Sequence, residues 1–168
     1  MAEPKDILFV GIIVFALGIA LFVTHYMMST TIDIMTKNNT VINQSENAAA
    51  AFQGIRTETL DNLDYVVFGI FIGLILLSII VSYFAGSHPI FAFIYFLAII
   101  LGVIISMFLA NTWETISQAS TFGTTVMSFP ITNHILLNLP YYTAVIGIFN
   151  IGIMLVRGAK KEEVLSYE

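Results

Sequence analysis

The chain has 168 residues, of which 58% are hydrophobic and 10% charged, and its net charge at pH 7 is −5. A soluble domain usually carries about 25% charged residues, so this composition is typical of a single membrane domain. The absence of cysteine excludes disulfides, thiolate metal sites and thiol nucleophiles. The sequence also has no cluster of lysine and arginine that would suit nucleic acid or anionic lipid headgroups.

Four apolar runs contain no Asp, Glu, Lys or Arg and cover residues 7–28, 65–84, 90–110 and 135–156. About 20 apolar helical residues cross a hydrocarbon core of about 30 Å. The first run is too long for a signal peptide, and acids precede it, so we expect it to be retained as span one. The sequence therefore predicts an all-α integral membrane protein with four transmembrane helices in an up-down bundle, forming a single domain over 1–168.

Four spans would place both termini on the same side of the membrane. Four of the six basic residues would lie on that side: Lys5, Arg157, Lys160 and Lys161. Lys37 and Arg56 would lie on the other side. Since basic residues favour the cytoplasmic side, we expect a multi-pass protein with cytoplasmic termini, or termini inside the virion if the membrane is viral.

The polar segment 29–64 carries apolar residues at helical spacing. Its first half has a stripe in steps of four and three at Met28, Ile32, Met35, Asn39 and Ile42, which is a heptad pattern. A second stripe runs through Ala48, Phe52, Ile55, Thr59 and Leu63. We predict that spans one and two continue beyond the membrane as a helical hairpin of roughly 20 Å or more, rather than as a flexible loop.

The second polar segment, 111–134, is rich in serine and threonine. We expect span three to extend through Trp113 to about Ala119, and Phe129 and Pro130 to start a short interfacial helix before span four. Both polar segments are expected to face partner proteins. The predicted partner contacts are Ile32, Met35, Ile42, Phe52, Ile55 and Trp113.

Small residues four positions apart occur at Gly69 and Gly73 and at Ala98, Gly102 and Ser106. This spacing lets helix backbones approach closely. We expect these residues to pack the four helices of one chain against each other, or alternatively to pack neighbouring chains.

Asn150 is the one strongly polar residue deep in span four. Because an unpaired amide in lipid is costly, we expect Asn150 to pack helices together by hydrogen-bonding across them. Lining a pore is the alternative.

No catalytic residue, cofactor or metal site is predicted. Coupled transporters need ionisable groups within their spans, and the four runs have none. His25, His134 and Glu114 would lie on one side of the membrane, so a metal site is conceivable. Their spacing matches no metal motif such as H-E-x-x-H, so we expect ordinary interfacial polar residues. No G-x-S-x-G motif of a serine hydrolase is present.

The last 40 residues or so contain the pattern PITNHILLNLPYY, an apolar span and the basic end RGAKK. This pattern resembles small multi-spanning membrane proteins of phages and other prokaryotic viruses. The resemblance implies a structural or assembly role in a virion membrane, with no catalytic residues.

The sequence thus predicts a non-enzymatic structural membrane protein in a larger complex, with a virion membrane component as the favoured instance. The expected partners are the lipid bilayer, further copies of the chain and other membrane or capsid proteins, but not nucleic acid. Two alternatives stay open. One is an oligomeric pore or holin-like channel with Asn150, Ser78, Ser82 or Thr143 facing a lumen, and the other is an accessory subunit of a membrane enzyme complex.

Overall fold

A computed structural model describes residues 5–38, 46–55, 60, 62–84 and 89–165, and the regular structure in these ranges is helical. The prediction of an all-α chain is confirmed for these residues. The helices are α1 (Lys5–Asn38), α2 (Glu46–Gly54), α3 (Leu63–Phe84), α4 (Pro89–Ser117), α5 (Gly123–Met127), α6 (Pro130–Leu137) and α7 (Leu139–Leu165).

Four of these helices, α1, α3, α4 and α7, are long and apolar enough to cross a membrane. Each of the four predicted spans falls mainly on one of them. The longest, α1, has 34 residues, which corresponds to about 51 Å at 1.5 Å per residue. This exceeds the thickness of a hydrocarbon core of about 30 Å, so part of α1 extends past one.

Helix α1 packs against α3 and α4, and α7 packs against the same two helices. The residue numbers at the contacts between α1 and α4 increase in the same direction along both helices. Gly11 lies against Ser106, where a Cβ would be 3.7 Å from the serine Oγ, and Phe22 lies against Trp113 with ring centroids 5.1 Å apart. These two helices therefore run in the same direction, and we refer to one end of the molecule as the Trp113 end.

The most extensive helix contact joins α4 and α7, which run in opposite directions. Their closest approach is at Gly147, where an added Cβ would lie 2.7 Å from Cγ1 of Ile99. Gly102 and Ser106 are buried on the same helix as Ile99, and Ser106 Oγ lies 2.9 Å from Thr143 Oγ1 of α7. Small residues on both helices thus let the two backbones approach.

The pair Gly69 and Gly73 is arranged differently. Both are exposed, and among the described residues no atom outside the local helix lies within 4 Å of an added Cβ at either position. The expectation that this pair packs helices within one chain is wrong, because the large side chains of α3 such as Phe71 face inward and the glycines face away. By contrast, Ala98 is half-buried and Gly102 and Ser106 are buried.

The helix bounds can be compared with the two arms of the predicted hairpin. α1 continues to Asn38, ten residues past the predicted end of span one. In the other arm α2 ends at Gly54, Ile55 and Leu60 are in π-helical turns, Asn62 lies in a turn and α3 begins at Leu63. Asp64 in the first turn of α3 favours a helix start there, since an acid complements the positive end of the helix dipole.

The apolar run predicted as span four, 135–156, is divided between two helices, α6 and α7. Pro130 occupies the first turn of α6, as predicted from Phe129 and Pro130, and α6 ends at Leu137. Asn138 lies between the helices with φ −100° and ψ 14°. Pro140 then sits in the first turn of α7, where its missing N–H costs no hydrogen bond.

The seam between α4 and α7 gives a first prediction. Replacing Gly147 with valine forces Ile99 to move, and overpacking of this kind typically costs about 1–3 kcal/mol. We expect Gly147→Val to lower the free energy of unfolding by that amount in a denaturant titration of the detergent-solubilised protein. Gly152→Val is the matched control, since nothing lies within 4 Å of an added Cβ at Gly152. Equal effects of the two variants would contradict this account of the seam.

Candidate functional site

An aromatic cluster occupies the Trp113 end. It consists of Phe22, Trp113, Phe122 and Phe129, and the ring of Phe22 contacts the other three at centroid distances of 5.1 to 5.8 Å. Phe22, Trp113 and Phe129 are fully buried. Edge-to-face aromatic pairs contribute about 0.5–1.5 kcal/mol each beyond their buried area. The cluster therefore ties α1, α4 and the segment before α6 together.

Trp113 also forms a hydrogen bond to α6. Its indole Nε1 donates to Oδ1 of Asn133 over 2.8 Å. The side chain has no exposed surface, so Trp113 belongs to the core of the chain and not to the exposed partner surface expected from the sequence. Its position just beyond the last apolar residues of the run 90–110 gave no indication of this burial.

The carboxylate of Asp64 caps the N-terminus of α6. Asp64 is 3% exposed, and its Oδ2 accepts a hydrogen bond from the Ile131 amide at 2.9 Å. Its Oδ1 accepts one from the Thr132 amide at 2.7 Å and another from the Thr132 hydroxyl at 2.6 Å. The first N–H groups of a helix lack internal acceptors, and the positive end of the helix dipole favours an anion. The Asp64 cap therefore compensates for the burial of a charge.

These contacts fix α6 from three sides. Asp64 holds it from α3, Trp113 holds it from α4, and Leu136 packs against Gly18 of α1, where an added Cβ would be 3.1 Å from the leucine Cδ1. The arrangement closes the Trp113 end of the molecule. Each of these contacts joins α6 to a different long helix.

The two histidines and the glutamate considered as metal ligands lie in separate environments. His25 is buried with its ring edge-on to Phe129 at 5.0 Å. His134 is exposed and lies 6.3 Å from the Tyr142 ring, and Glu114 accepts a hydrogen bond from Gln118 at 3.2 Å. Within the described ranges, no group of three or more His, Asp or Glu side chains could hold a metal.

A second polar group, the Asn150 network, joins α3, α4 and α7. Nδ2 of Asn150 donates to Ser78 Oγ and to Tyr95 Oη, both over 3.3 Å, and Tyr95 Oη lies 3.3 Å from Ser82 Oγ. Asn150 therefore does hydrogen-bond across helices. Its Oδ1 atom has no hydrogen-bond partner among the residues that the structure describes.

The residues considered for a pore lumen all take part in contacts within the chain. Asn150 and Ser82 are buried, and Ser78 and Thr143 are half-buried. Thr143 donates its hydroxyl proton to the Leu139 carbonyl and lies beside Ser106. These side chains are thus directed into the packing of one chain.

A small apolar cavity lies between α1, α3 and α7. Its volume is about 30 Å³, and Val14, Phe71 and Ile146 are among its walls. Ser78 and Thr143 also line it, but both hydroxyls donate to carbonyls of their own helices at 2.8 Å. Because pockets for small-molecule ligands typically measure about 300–1,000 Å³, this cavity is too small for a metabolite.

The remaining predicted partner contacts are distributed unevenly. Met35 and Ile55 are exposed and Phe52 is half-buried. Ile32 is 8% exposed, so it faces the interior of the chain. Ile42 lies outside the described residues.

No protein-family model matches the chain, and no curated protein or solved structure matches it. Two groups of buried polar side chains, the Asp64 cap and the Asn150 network, join helices of the described chain.

The Asp64 cap gives a second prediction. Asp64→Asn keeps the side-chain volume but removes the charge and replaces one acceptor oxygen with a donor. Hydrogen bonds to charged groups contribute about 1.5–3 kcal/mol, so we expect a loss of about 2 kcal/mol in the free energy of unfolding. Thermal unfolding followed by circular dichroism should show a lower midpoint for Asp64→Asn than for the exposed control Glu114→Gln. Equal midpoints would show that the cap contributes little.

A third prediction concerns Asn150. Without the Asn150 side chain, Ser78 and Tyr95 keep other hydrogen-bond partners. Leucine also removes Asn150 Oδ1, an acceptor that receives no hydrogen bond from the described residues. We therefore expect Asn150→Leu to change the free energy of unfolding by less than about 1 kcal/mol, and Asn150→Asp to cost about 3–5 kcal/mol through an unpaired buried charge. Chemical denaturation of both variants in the same detergent measures the difference. A leucine variant as unstable as the aspartate variant would contradict it.

Proposed function

We propose that this chain is a multi-pass integral membrane protein with a structural or assembly role in a larger complex, a virion membrane component being the favoured instance. The observation that carries the proposal is the outward position of Gly69 and Gly73. They lie one helical turn apart on α3, both are exposed, and the described residues of the other helices leave the space beside them open.

Apolar side chains do not by themselves drive helices together in lipid, because lipid tails are equally apolar. Close backbone approach over small residues does favour association, through van der Waals contact. The contact between Gly147 and Ile99 is an example within the chain. Gly69 and Gly73 offer the same kind of surface, and the exposed side chains of Val66 and Ile72 flank it. A helix of a second copy or of another membrane protein fits this surface.

The buried polar groups support a role without catalysis. The Asp64 cap and the Asn150 network use their hydrogen-bonding groups to join helices, and the small cavity that Ser78 of the network lines has walls that are almost entirely apolar. The pore alternative requires these same groups to face a lumen. Their contacts within the chain favour the assembly role.

The helix directions support the proposed topology. α1 and α4 run one way, and α7 runs the other way, as its contacts with Ser106 and Tyr95 indicate. In a membrane, the start of α1 and the end of α7 would then lie on the same side. The basic residues near both termini favour the cytoplasm, or the virion interior, for that side.

The fourth prediction tests the glycine surface. Isoleucine at both Gly69 and Gly73 would fill the groove, and no described atom outside the local helix lies within 4 Å of a Cβ at either position. We expect this double variant to lower the association constant at least tenfold, about 1.4 kcal/mol, in energy-transfer measurements between labelled copies or partners in bicelles. Gly152→Ile, at an equally open glycine of α7, is the matched control and should associate normally.

The nature of the complex is tested by purifying the native assembly in mild detergent. A particle that contains capsid proteins supports the virion role. Co-purification with an oxidoreductase or a transporter would instead identify an accessory subunit. A chain that stays monomeric and binds no other protein would refute the assembly role.

A further inference from the structure

Exposed tyrosines lie at the two ends of α3. Tyr65 in the first turn is 64% exposed and Tyr83 in the last turn is 54% exposed. The exposed residues between them are all apolar or glycine. The two positions are about 27 Å apart along the helix, at 1.5 Å per residue. Tyrosine is enriched at membrane–water interfaces and a hydrocarbon core is about 30 Å thick, so this stretch of α3 matches one bilayer.

The exposed face of α4 changes from apolar to polar near the Trp113 end. From Phe93 to Phe108 every exposed residue is apolar. The exposed residues that follow are polar and include Asn111 and Glu114. Because a carboxylate exposed to hydrocarbon is strongly disfavoured, lipid can cover α4 only as far as the turn before Glu114.

The start of α7 shows the same change. Tyr141 in its first turn is exposed, and the exposed residues that follow, as far as Val156, are apolar or glycine. On the other side of the break at Asn138, α6 exposes the ionisable side chain of His134. Three of the four long helices thus become polar on their outer faces at the same end of the molecule.

Contacts between these helices show that the three changes lie near one level. The ring of Phe71 on α3 lies 5.3 Å from that of Tyr142 on α7, and Ser106 Oγ on α4 lies 2.9 Å from Thr143 Oγ1 on α7. Each change lies within about 9 Å of these contacts, in the direction of the Trp113 end, at 1.5 Å per residue. A single membrane boundary can therefore pass through all three.

Helix α1 passes this level without a change of polarity. An added Cβ at Gly18 would lie 3.5 Å from Cγ2 of Thr132, whose amide donates to Asp64 at the start of α3. One turn further along α1, the ring of Phe22 contacts that of Trp113. The boundary therefore meets α1 between Gly18 and Phe22. From Phe22 the helix continues for about 24 Å to its end, at 1.5 Å per residue.

By length and composition alone, α1 could lie in a membrane as far as Thr36. The exposed carboxylate of Glu114 would then lie well inside the hydrocarbon, which is strongly disfavoured. We infer instead that the bilayer ends at the level of Tyr65, and that α1 stands outside the hydrocarbon from about Thr24 to Asn38. This inference deepens the proposed membrane role and rests on it, because it assigns the bilayer to one part of the molecule.

The chain has no cysteine, so single cysteines report accessibility without background. Ile34 beyond the boundary and Leu76 within the bilayer form a matched pair, since their side chains are isomeric and are 54% and 55% exposed. The full chain would be reconstituted in liposomes with a charged maleimide on both faces. We expect Ile34→Cys to react about tenfold faster than Leu76→Cys, because the reactive thiolate does not form in hydrocarbon. Met27→Cys should react like Ile34→Cys.

A nitroxide attached to the same cysteines measures depth directly. Oxygen concentrates in hydrocarbon and a charged nickel chelate stays in water, so the ratio of their collision rates with the label rises with depth. We expect the ratio to be highest at Leu76, lowest at Ile34 and intermediate at Tyr65 and Tyr83. Shielding of the Ile34 label from both reagents would also support the boundary, since it indicates protein contact outside lipid. A label at Ile34 with the oxygen preference of Leu76 would overturn the boundary.

Extraction of the liposomes with alkaline carbonate tests the membrane role separately. A chain that stays with the lipid, combined with equal depths at Ile34 and Leu76, refutes the boundary and leaves the membrane role intact. A chain that carbonate releases from the lipid refutes both.

Discussion

The start of α6 depends on one carboxylate. Because Ile131 is half-buried and Thr132 is buried, their amides in the first turn of α6 need acceptors within the chain. Asp64 supplies them from α3, and the positive end of α6 in turn stabilises the carboxylate. Neither group could be buried alone without a large desolvation cost.

The position of α6 determines the arrangement of the Trp113 end. Asn133 on α6 accepts the indole hydrogen bond of Trp113, and Phe129 just before it packs against Phe22. The aromatic cluster thus forms around a helix that the Asp64 cap holds. Aromatic rings add stability through edge-to-face contacts, but the hydrogen bonds set the orientation of the helices on which they sit.

The sequence was sufficient to predict the helical class and the four long apolar helices, because length and hydropathy decide these. It could not predict which faces turn inward. Gly69 with Gly73 and Ala98 with Gly102 share the same spacing, yet the first pair is exposed, whereas Ala98 is half-buried and Gly102 is buried. A helix that is apolar on all sides carries no periodic signal to separate the two.

The same limitation explains the errors in the candidate contacts. The stripe predicted in the polar segment included Ile32, which is buried, together with Met28 and Met35, which are exposed. The Asp64 cap joins residues 67 and 68 positions apart, and no local pattern links residues at that separation. The available signal was Asp64 itself, an acid directly before the apolar run 65–84. If such an acid is buried, groups elsewhere in the chain must donate hydrogen bonds to its carboxylate.

The positions of the polar groups limit the kind of assembly that copies of this chain can form. A pore between copies needs polar groups on outward faces, whereas the described network of Asn150, Ser78 and Tyr95 is directed into the chain. The outward faces of α1 and α3 carry small and apolar residues instead. Copies that meet through such faces bury them against each other and create no water-filled lumen. This distribution favours a packed membrane assembly over a channel, whichever protein supplies the second helix.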